Sequence, residues 1–251
     1  MDASTPFGYN RSMRENEKVV TPLEAALTFA SFNAYFYLLL FTLLPWLKAN
    51  IVLHPALYWF GTGYFLFVPL LAYAAWRAWA EGRRGTGNIL AALNVKPFTK
   101  RDWKYAINGL LLGLILTGMI FGLSMLLSRH LGWRPLSTTP WFMEMRPFAG
   151  TEKLLLLVWL PMFFFNIAGE ELLWRGYLQA RLRGRHAWPL CAALWLLFHL
   201  PFGPGLMIML LPVVVIIPYA FHKTRNALVG IFIHGLYNGP MFAAIALGWI
   251  G

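Results

Sequence analysis

Residues 154–177 read LLLLVWLPMFFFNIAGEELLWRGY, and this stretch decides how the rest of the chain is interpreted. An apolar run from Leu154 to Phe165 is followed by two adjacent carboxylates, Glu170 and Glu171, and then by Arg175. The run predicts part of a membrane helix, with the two carboxylates either inside the membrane or at a helix end at its edge. Ionisable side chains are costly inside a membrane helix, so their presence there indicates a functional site.

The composition predicts a polytopic membrane protein. Hydrophobic residues make up 59% of the 251 residues and charged residues only 12%, with a mean hydropathy of +0.56. A soluble domain carries about 25% charged residues. The net charge of +11 fits an excess of Lys and Arg in cytoplasmic loops, and no nucleic-acid-binding module is present. Cys191 is the only cysteine, so no intrachain disulfide supports the fold.

The apolar runs are continuous, which predicts an all-α transmembrane helix bundle and argues against a closed β-barrel. We expect about seven spans, with an eighth left open, in a single integral-membrane domain over residues 1–251. Residues 1–150 would hold the N-terminal spans, and residues 151–251 a motif-bearing catalytic core. The predicted spans are residues 24–46, 56–79, 105–128, 153–175, 187–200, 205–221 and 226–249.

The distribution of Lys and Arg predicts the orientation. With the N-terminus inside, the inner segments hold sixteen of the 21 basic residues and the outer segments five. The inner set includes Arg11, Arg14, Arg83, Arg84 and Arg175. We therefore expect a multi-pass protein with a cytoplasmic N-terminus, in a bacterial inner membrane, and seven spans would put the C-terminus outside.

Polar residues on three predicted C-terminal spans fall at a similar depth. Trp195 and His199 are four residues apart, as are His234 and Asn238, so each pair shares one face of its helix. Counted from the basic loops at 1.5 Å per residue, His199, His234, Asn238 and Glu170 lie roughly 13 to 21 Å deep. Independent helices that bring polar groups to one depth predict a buried site.

These residue types favour hydrolysis by water over a covalent intermediate, since the motifs contain no serine or cysteine nucleophile. His234 and Asn238 could both donate to one oxygen, which suits an oxyanion site. Glu170, His199 and His234 could instead ligate zinc, although H-E-x-x-H is absent.

Three motifs in this order, Glu170-Glu171-x-x-x-Arg175, Trp195-x-x-x-His199 and His234-x-x-x-Asn238, resemble the CAAX protease and bacteriocin-processing (CPBP, or Abi) family of intramembrane endopeptidases. The resemblance covers roughly residues 150–250. It implies that Glu170 and His199 activate a water, that His234 and Asn238 stabilise the oxyanion, and that Glu171 and Arg175 support the site. Trp195 stands where the family commonly has phenylalanine, and we expect it to shape the substrate cavity. The family has been described both as metal-free glutamic proteases and as metalloproteases. We favour the metal-free form with no cofactor, because asparagine is a poor zinc ligand.

The sequence thus predicts an intramembrane endopeptidase that cleaves a peptide or protein substrate at the lipid bilayer, with prenylation of the substrate and zinc dependence both left open. It predicts no particular oligomeric state. The alternative is a noncatalytic membrane protein of the same fold that binds a peptide or confers self-immunity.

Overall fold

The computed structural model describes residues 18–82, 88–143 and 146–249, and these ranges are almost entirely helical. The main helices are α1 (Pro22–Asn50), α2 (Pro55–Gly82), α3 (Lys100–Leu131), α4 (Gly150–Gln179), α5 (Ala187–Phe198), α6 (Pro204–Thr224) and α7 (Ala227–Ala246). Within these ranges, the only β-type pairing is an isolated bridge between Val20 and Leu182. The all-α prediction is confirmed.

Six of the helices in the described ranges are long and apolar enough to cross a membrane. The exception is α5, the predicted fifth span, which has 12 residues. Its length is roughly 18 Å, less than the ~30 Å hydrocarbon core. The helices follow the seven predicted spans in order, so a multi-pass membrane bundle is confirmed, with one short member.

Hydrogen bonds between the segments that connect the helices show that these segments lie in two groups, at opposite ends of the bundle. At one end, the Val20 N–H donates to the Arg181 carbonyl at 3.3 Å, and Arg225 Nη2 donates to the Ala180 carbonyl at 2.6 Å. We call this the basic end; it holds the start of α1, the end of α4 and the α6–α7 turn. At the other end, the Phe148 N–H donates to the Ala246 carbonyl at 2.8 Å. Successive helices therefore run in alternating directions.

The short helix α5 stops inside the bundle rather than at the far end. Asn33 Nδ2, on α1, donates to the Leu197 carbonyl at 3.3 Å. Asn33 lies eleven residues into α1, or roughly 17 Å from its basic end. The turn Leu200–Phe202 then reverses the chain into α6, and the Pro201 carbonyl accepts a hydrogen bond from Trp141 Nε1 at 2.8 Å. The end of α5, which carries His199, is thus held at mid-depth.

The connection between α2 and α3 fixes α4 against α7 at the basic end. Asn94, in the left-handed region at φ 55°, donates through Nδ2 to the Gly176 carbonyl at 3.1 Å and accepts at its own carbonyl from the Ala227 N–H at 2.9 Å. A Cβ on Gly176 would lie 2.5 Å from the Leu93 carbonyl oxygen, so this approach requires glycine. Asn226 caps α7 by accepting from the Leu228 N–H.

One residue of the orientation count lies elsewhere than predicted. The prediction assigns Arg175 to an inner segment, but α4 continues to Gln179 and the Arg175 side chain is fully buried. Without Arg175 the inner segments hold fifteen basic residues and the outer segments five, so the asymmetry in charge persists. Arg11, Arg14, Arg83 and Arg84 lie outside the described residues. The division at residue 150 and the orientation in the membrane stay predictions.

Candidate active site

The helix α4 changes its winding between the two adjacent carboxylates. Its α-helical part ends at Glu170, and a π-helical part with i→i+5 hydrogen bonds runs from Glu171 to Gln179. Such π-helical turns are rare in proteins overall, but those that occur are often found at functional sites. Adjacent residues on an α-helix already point about 100° apart. The two carboxylates accordingly contact different helices: Glu170 faces α5, and Glu171 faces α7.

Glu170 is buried and hydrogen-bonded at both carboxylate oxygens. Asn166 Nδ2, one turn earlier on α4, donates to Oε1 at 2.8 Å. Trp195 Nε1, on α5, donates to Oε2 at 2.6 Å. Hydrogen bonds to an ionised acceptor are short and strong. These two donors therefore fix the orientation of the carboxylate while each oxygen keeps further acceptor capacity.

His199 is held at the end of α5 in a defined tautomer. Its Nδ1 lies 2.8 Å from the Trp195 carbonyl oxygen, one turn back along the helix. Because a carbonyl oxygen can only accept, Nδ1 carries the proton and donates. The other ring nitrogen, Nε2, then has a free lone pair and can accept a proton from water. His199 is 6% exposed, so this nitrogen is available in a largely enclosed site.

Glu171 forms a second acid–histidine pair with α7. His234 Nδ1 donates to Glu171 Oε1 at 3.0 Å, and both side chains are buried. The absence of a side chain at Gly230 makes this approach possible: a Cβ there would collide with Glu171 Oε2 and lie 3.1 Å from Cδ. Glu170 and His199, joined through Trp195, are the first acid–histidine pair. The ring centroids of His234 and Trp195 are 5.4 Å apart, so both pairs flank one indole ring.

Arg175 balances this group of acids without a hydrogen bond of its own. Its Nε lies 3.5 Å from Glu171 Oε2, and its side chain is 0% exposed. The guanidinium carbon lies 3.6 Å from the centroid of the Trp195 ring, which is a cation–π contact. None of its three nitrogens has a hydrogen-bond partner among the described residues. Its charge is therefore stabilised by Glu171 and by the indole face.

Asn238 is more exposed than the other predicted catalytic residues. It lies one turn beyond His234 on α7, partly buried, and its side chain makes no hydrogen bond to any residue that the structure describes. The structure thus joins six of the seven predicted site residues by direct contacts, and Asn238 adjoins them along the helix. The six are Glu170, Glu171, Arg175, Trp195, His199 and His234. Their chemical roles stay predictions.

The alternative metal site was tested against the same geometry. Glu170, His199 and His234 were its predicted ligands, but in the described parts of the chain no three His, Cys, Asp or Glu side chains are grouped so that they could hold a metal ion. Among the described residues these three side chains are thus not grouped as zinc ligands; no step is derived through a metal ion, and the metal-free form stays a prediction.

Two contributors to the site were not predicted. Asn166 is a polar residue at the end of the apolar run, four residues before Glu170, and that spacing could have indicated its contact. The close approach at Gly230 has no local signal in the sequence, because it depends on how α4 packs on α7.

An apolar groove of about 600 Å³ lies between α4 and α7, beside the second acid–histidine pair. Ile167 and Ile231 line it one turn from Glu171 and His234, and Gly235 forms part of its wall. Its other lining residues are Leu160, Pro161, Phe163, Phe164 and Phe165. The groove therefore offers an apolar surface that reaches the neighbourhood of the site.

Comparison with known proteins finds a match to a family model. No curated protein and no solved structure matches the chain. A family model described as type II CAAX prenyl endopeptidase Rce1-like matches residues 152–239, which include all seven predicted site residues. Residues 152–239 are therefore similar to type II CAAX prenyl endopeptidases of the Rce1-like kind, the CAAX protease family that the three motifs resemble.

Proposed function

We propose that this protein is an intramembrane endopeptidase that hydrolyses a peptide bond with a water activated by Glu170 and His199. The observation that carries the proposal is that Trp195 is hydrogen-bonded to both Glu170 and His199, with the Glu171–His234 pair beside it, inside a segment that matches a protease family. Glu170 and His199 supply two proton acceptors in fixed orientations, as general base catalysis needs.

The proposed first step is attack by water on the peptide carbonyl carbon. A new carbon–oxygen bond forms, the carbonyl electrons move to its oxygen, and the water proton passes to Glu170 or to Nε2 of His199. In the second step the carbon–nitrogen bond breaks, and the stored proton goes to the leaving amine. No covalent bond to the protein forms, and no metal takes part.

His234 and Asn238 would stabilise the negative oxygen of the tetrahedral intermediate. With Nδ1 of His234 donating to Glu171, a proton on Nε2 would give an imidazolium whose charge Glu171 offsets. The Asn238 amide is one turn away and makes no hydrogen bond to a described residue, so it is available to donate to substrate. Two preorganised donors of this kind are the usual basis of an oxyanion site.

The proposed substrate is a membrane-bound peptide with an attached prenyl chain. The groove between α4 and α7 has an apolar lining, as a hydrocarbon chain needs, and it runs beside His234. Asn238, the most exposed of the predicted catalytic residues, lies three residues beyond Gly235 of the groove wall, which favours substrate entry from this side. The description of the matched family names a prenyl endopeptidase.

We also propose that the basic end faces the cytoplasm of a bacterial cell. Lys18, Arg181 and Lys223 lie at or near this end, and positively charged residues concentrate on the cytoplasmic side of membrane proteins. The N-terminus would then be cytoplasmic and the C-terminus outside.

The test uses purified protein in proteoliposomes and a fluorogenic peptide that ends in a farnesylated C-a-a-X sequence, beside the same peptide without the farnesyl group. We expect cleavage of the farnesylated peptide by the wild type and a loss of at least 10²-fold in Glu170→Gln. Glu24→Gln, at the start of α1 and away from the site, is the matched control and should cleave normally. Cleavage by Glu170→Gln at the wild-type rate would refute the proposed mechanism. Equal cleavage of both peptides would refute the prenyl preference, and binding without cleavage by the wild type would support the noncatalytic alternative.

A further inference from the structure

We propose that Trp195 is a positioning residue that holds Glu170 and His199 in one fixed geometry through its indole N–H and its backbone carbonyl. This inference rests on the proposed function, because it takes Glu170 and His199 as the groups that activate water. It differs from the expected role of Trp195 as part of the substrate cavity, since the side chain is 1% exposed and is occupied by contacts within the protein.

Trp195 contacts four of the other five buried site residues, all except Glu171. Nε1 donates to Glu170 Oε2 at 2.6 Å, and the backbone carbonyl accepts from His199 Nδ1 at 2.8 Å. The ring face carries the Arg175 guanidinium at 3.6 Å, and its centroid lies 5.4 Å from that of His234. One residue thus links the group that would accept the proton, the histidine beside it, and the second acid–histidine pair.

The indole N–H is the contact that only tryptophan supplies. A phenylalanine at this position would keep an aromatic face for Arg175 and the backbone carbonyl for His199, but it would leave Glu170 Oε2 without its donor. A buried carboxylate that loses a hydrogen bond turns towards other partners or water, because an unsatisfied charged oxygen is costly. The Glu170 carboxylate would then lose its fixed orientation, because Asn166 binds only Oε1 and the carboxylate could turn about that hydrogen bond.

A role in packing alone predicts a different result. If Trp195 only filled space, its substitution would lower stability, and activity would fall only as the folded fraction falls. If it positions Glu170, Trp195→Phe would lower the turnover number in protein that is still fully folded. Substrate binding would be little changed, because the indole does not line the groove between α4 and α7.

The experiment compares wild type, Trp195→Phe and Trp188→Phe for kcat, KM and unfolding temperature. Trp188 is the matched control: it is on the same helix, and its ring contacts Tyr219 rather than any site residue. For Trp195→Phe we expect kcat to fall about 10- to 100-fold, the range for loss of a hydrogen bond to a charged group. KM should stay within about threefold and Trp188→Phe should match the wild type. A kcat of Trp195→Phe within twofold of wild type would overturn the proposal, as would a loss seen only where the protein unfolds.

A double substitution tests whether Trp195 acts through Glu170. Asn166 and Trp195 hold the two oxygens of the same carboxylate, so Asn166→Ala and Trp195→Phe should combine non-additively, with the double variant at least threefold away from the product of the single effects. If the kcat losses of the two single variants simply multiply in the double variant, the two residues do not act through the same carboxylate. Glu170→Gln separates this inference from the proposed function. If Glu170→Gln is fully active, both the proposed mechanism and the positioning role of Trp195 are wrong. An inactive Glu170→Gln beside a fully active Trp195→Phe would remove only the role of Trp195.

Discussion

Replacement of Glu171 by glutamine is expected to destabilise the protein as well as to impair it. The substitution keeps the size of the side chain and leaves an oxygen that can accept from His234. It removes the negative charge 3.5 Å from Arg175 Nε, in a place where both side chains are 0% exposed. Arg175 has no hydrogen-bond partner in the described part of the chain, so the substitution leaves a buried guanidinium without its ionic partner.

The expected loss can be worked from this distance. At 3.5 Å and an effective dielectric constant of about 20, two unit charges attract by about 5 kcal/mol. Breaking a buried pair by removing one partner typically costs about 3–5 kcal/mol. For a chain of this length that corresponds to a fall in unfolding temperature of roughly 6 to 20 °C. The double variant Glu171→Gln/Arg175→Met should recover most of the stability, because it removes both charges.

Cys191 provides the assay. It is the only cysteine of the chain and is 1% exposed, so a thiol-reactive fluorophore should label it only as the protein unfolds on heating. Lys18→Gln is the control, because it removes one half of an exposed pair with Glu24 and should cost less than about 1 kcal/mol. A change of less than 2 °C in Glu171→Gln would refute the view that Glu171 stabilises a buried charge on Arg175.

Further predictions concern packing, the oxyanion and metal. Gly230→Ala should destabilise the protein by about 1–3 kcal/mol, because the new Cβ would collide with Glu171. Gly118→Ala is the control: its Cβ would have no neighbouring atom within 4 Å, so its stability should not fall. Thermal unfolding of both variants measures the difference. Asn238→Ala should lower kcat by about 10²- to 10³-fold in kinetic assays with no change in unfolding temperature, and an unchanged kcat would exclude it from the oxyanion site. Incubation with a chelator should leave the cleavage rate unchanged, and a loss that added zinc restores would contradict a metal-free mechanism.

Most of the fold follows from the apolar runs of the sequence. Each predicted span corresponds to a helix in the same order, because a helix is the conformation that satisfies the backbone of an apolar segment in lipid. The predicted end of the fourth span differs from the end of the helix in the structure. The helix α4 continues past Arg175 to Gln179, because the arginine is neutralised within the bundle instead of ending the helix at a surface.

The convergence of the site residues was also predictable, but their partners were not. Depth counted along each helix brought Glu170, His199 and His234 to one level, and contacts through Trp195 and Glu171 connect them. The contact of Glu171 with His234 depends on the rotation of α7 and on the missing side chain at Gly230. The start of the π-helix at Glu171 has no marker in the sequence that separates it from continued α-helix.

The most direct test of the central claim is the cleavage rate of Glu170→Gln, His199→Ala and the double variant, measured on the farnesylated peptide over incubations long enough to detect residual activity. Groups that activate one water act as a unit, and their substitutions are then strongly non-additive. We predict that each single variant loses at least 10²-fold in rate. The double variant should be no less active than the less active of the two single variants. A loss in the double variant equal to the product of the two single losses would contradict this prediction.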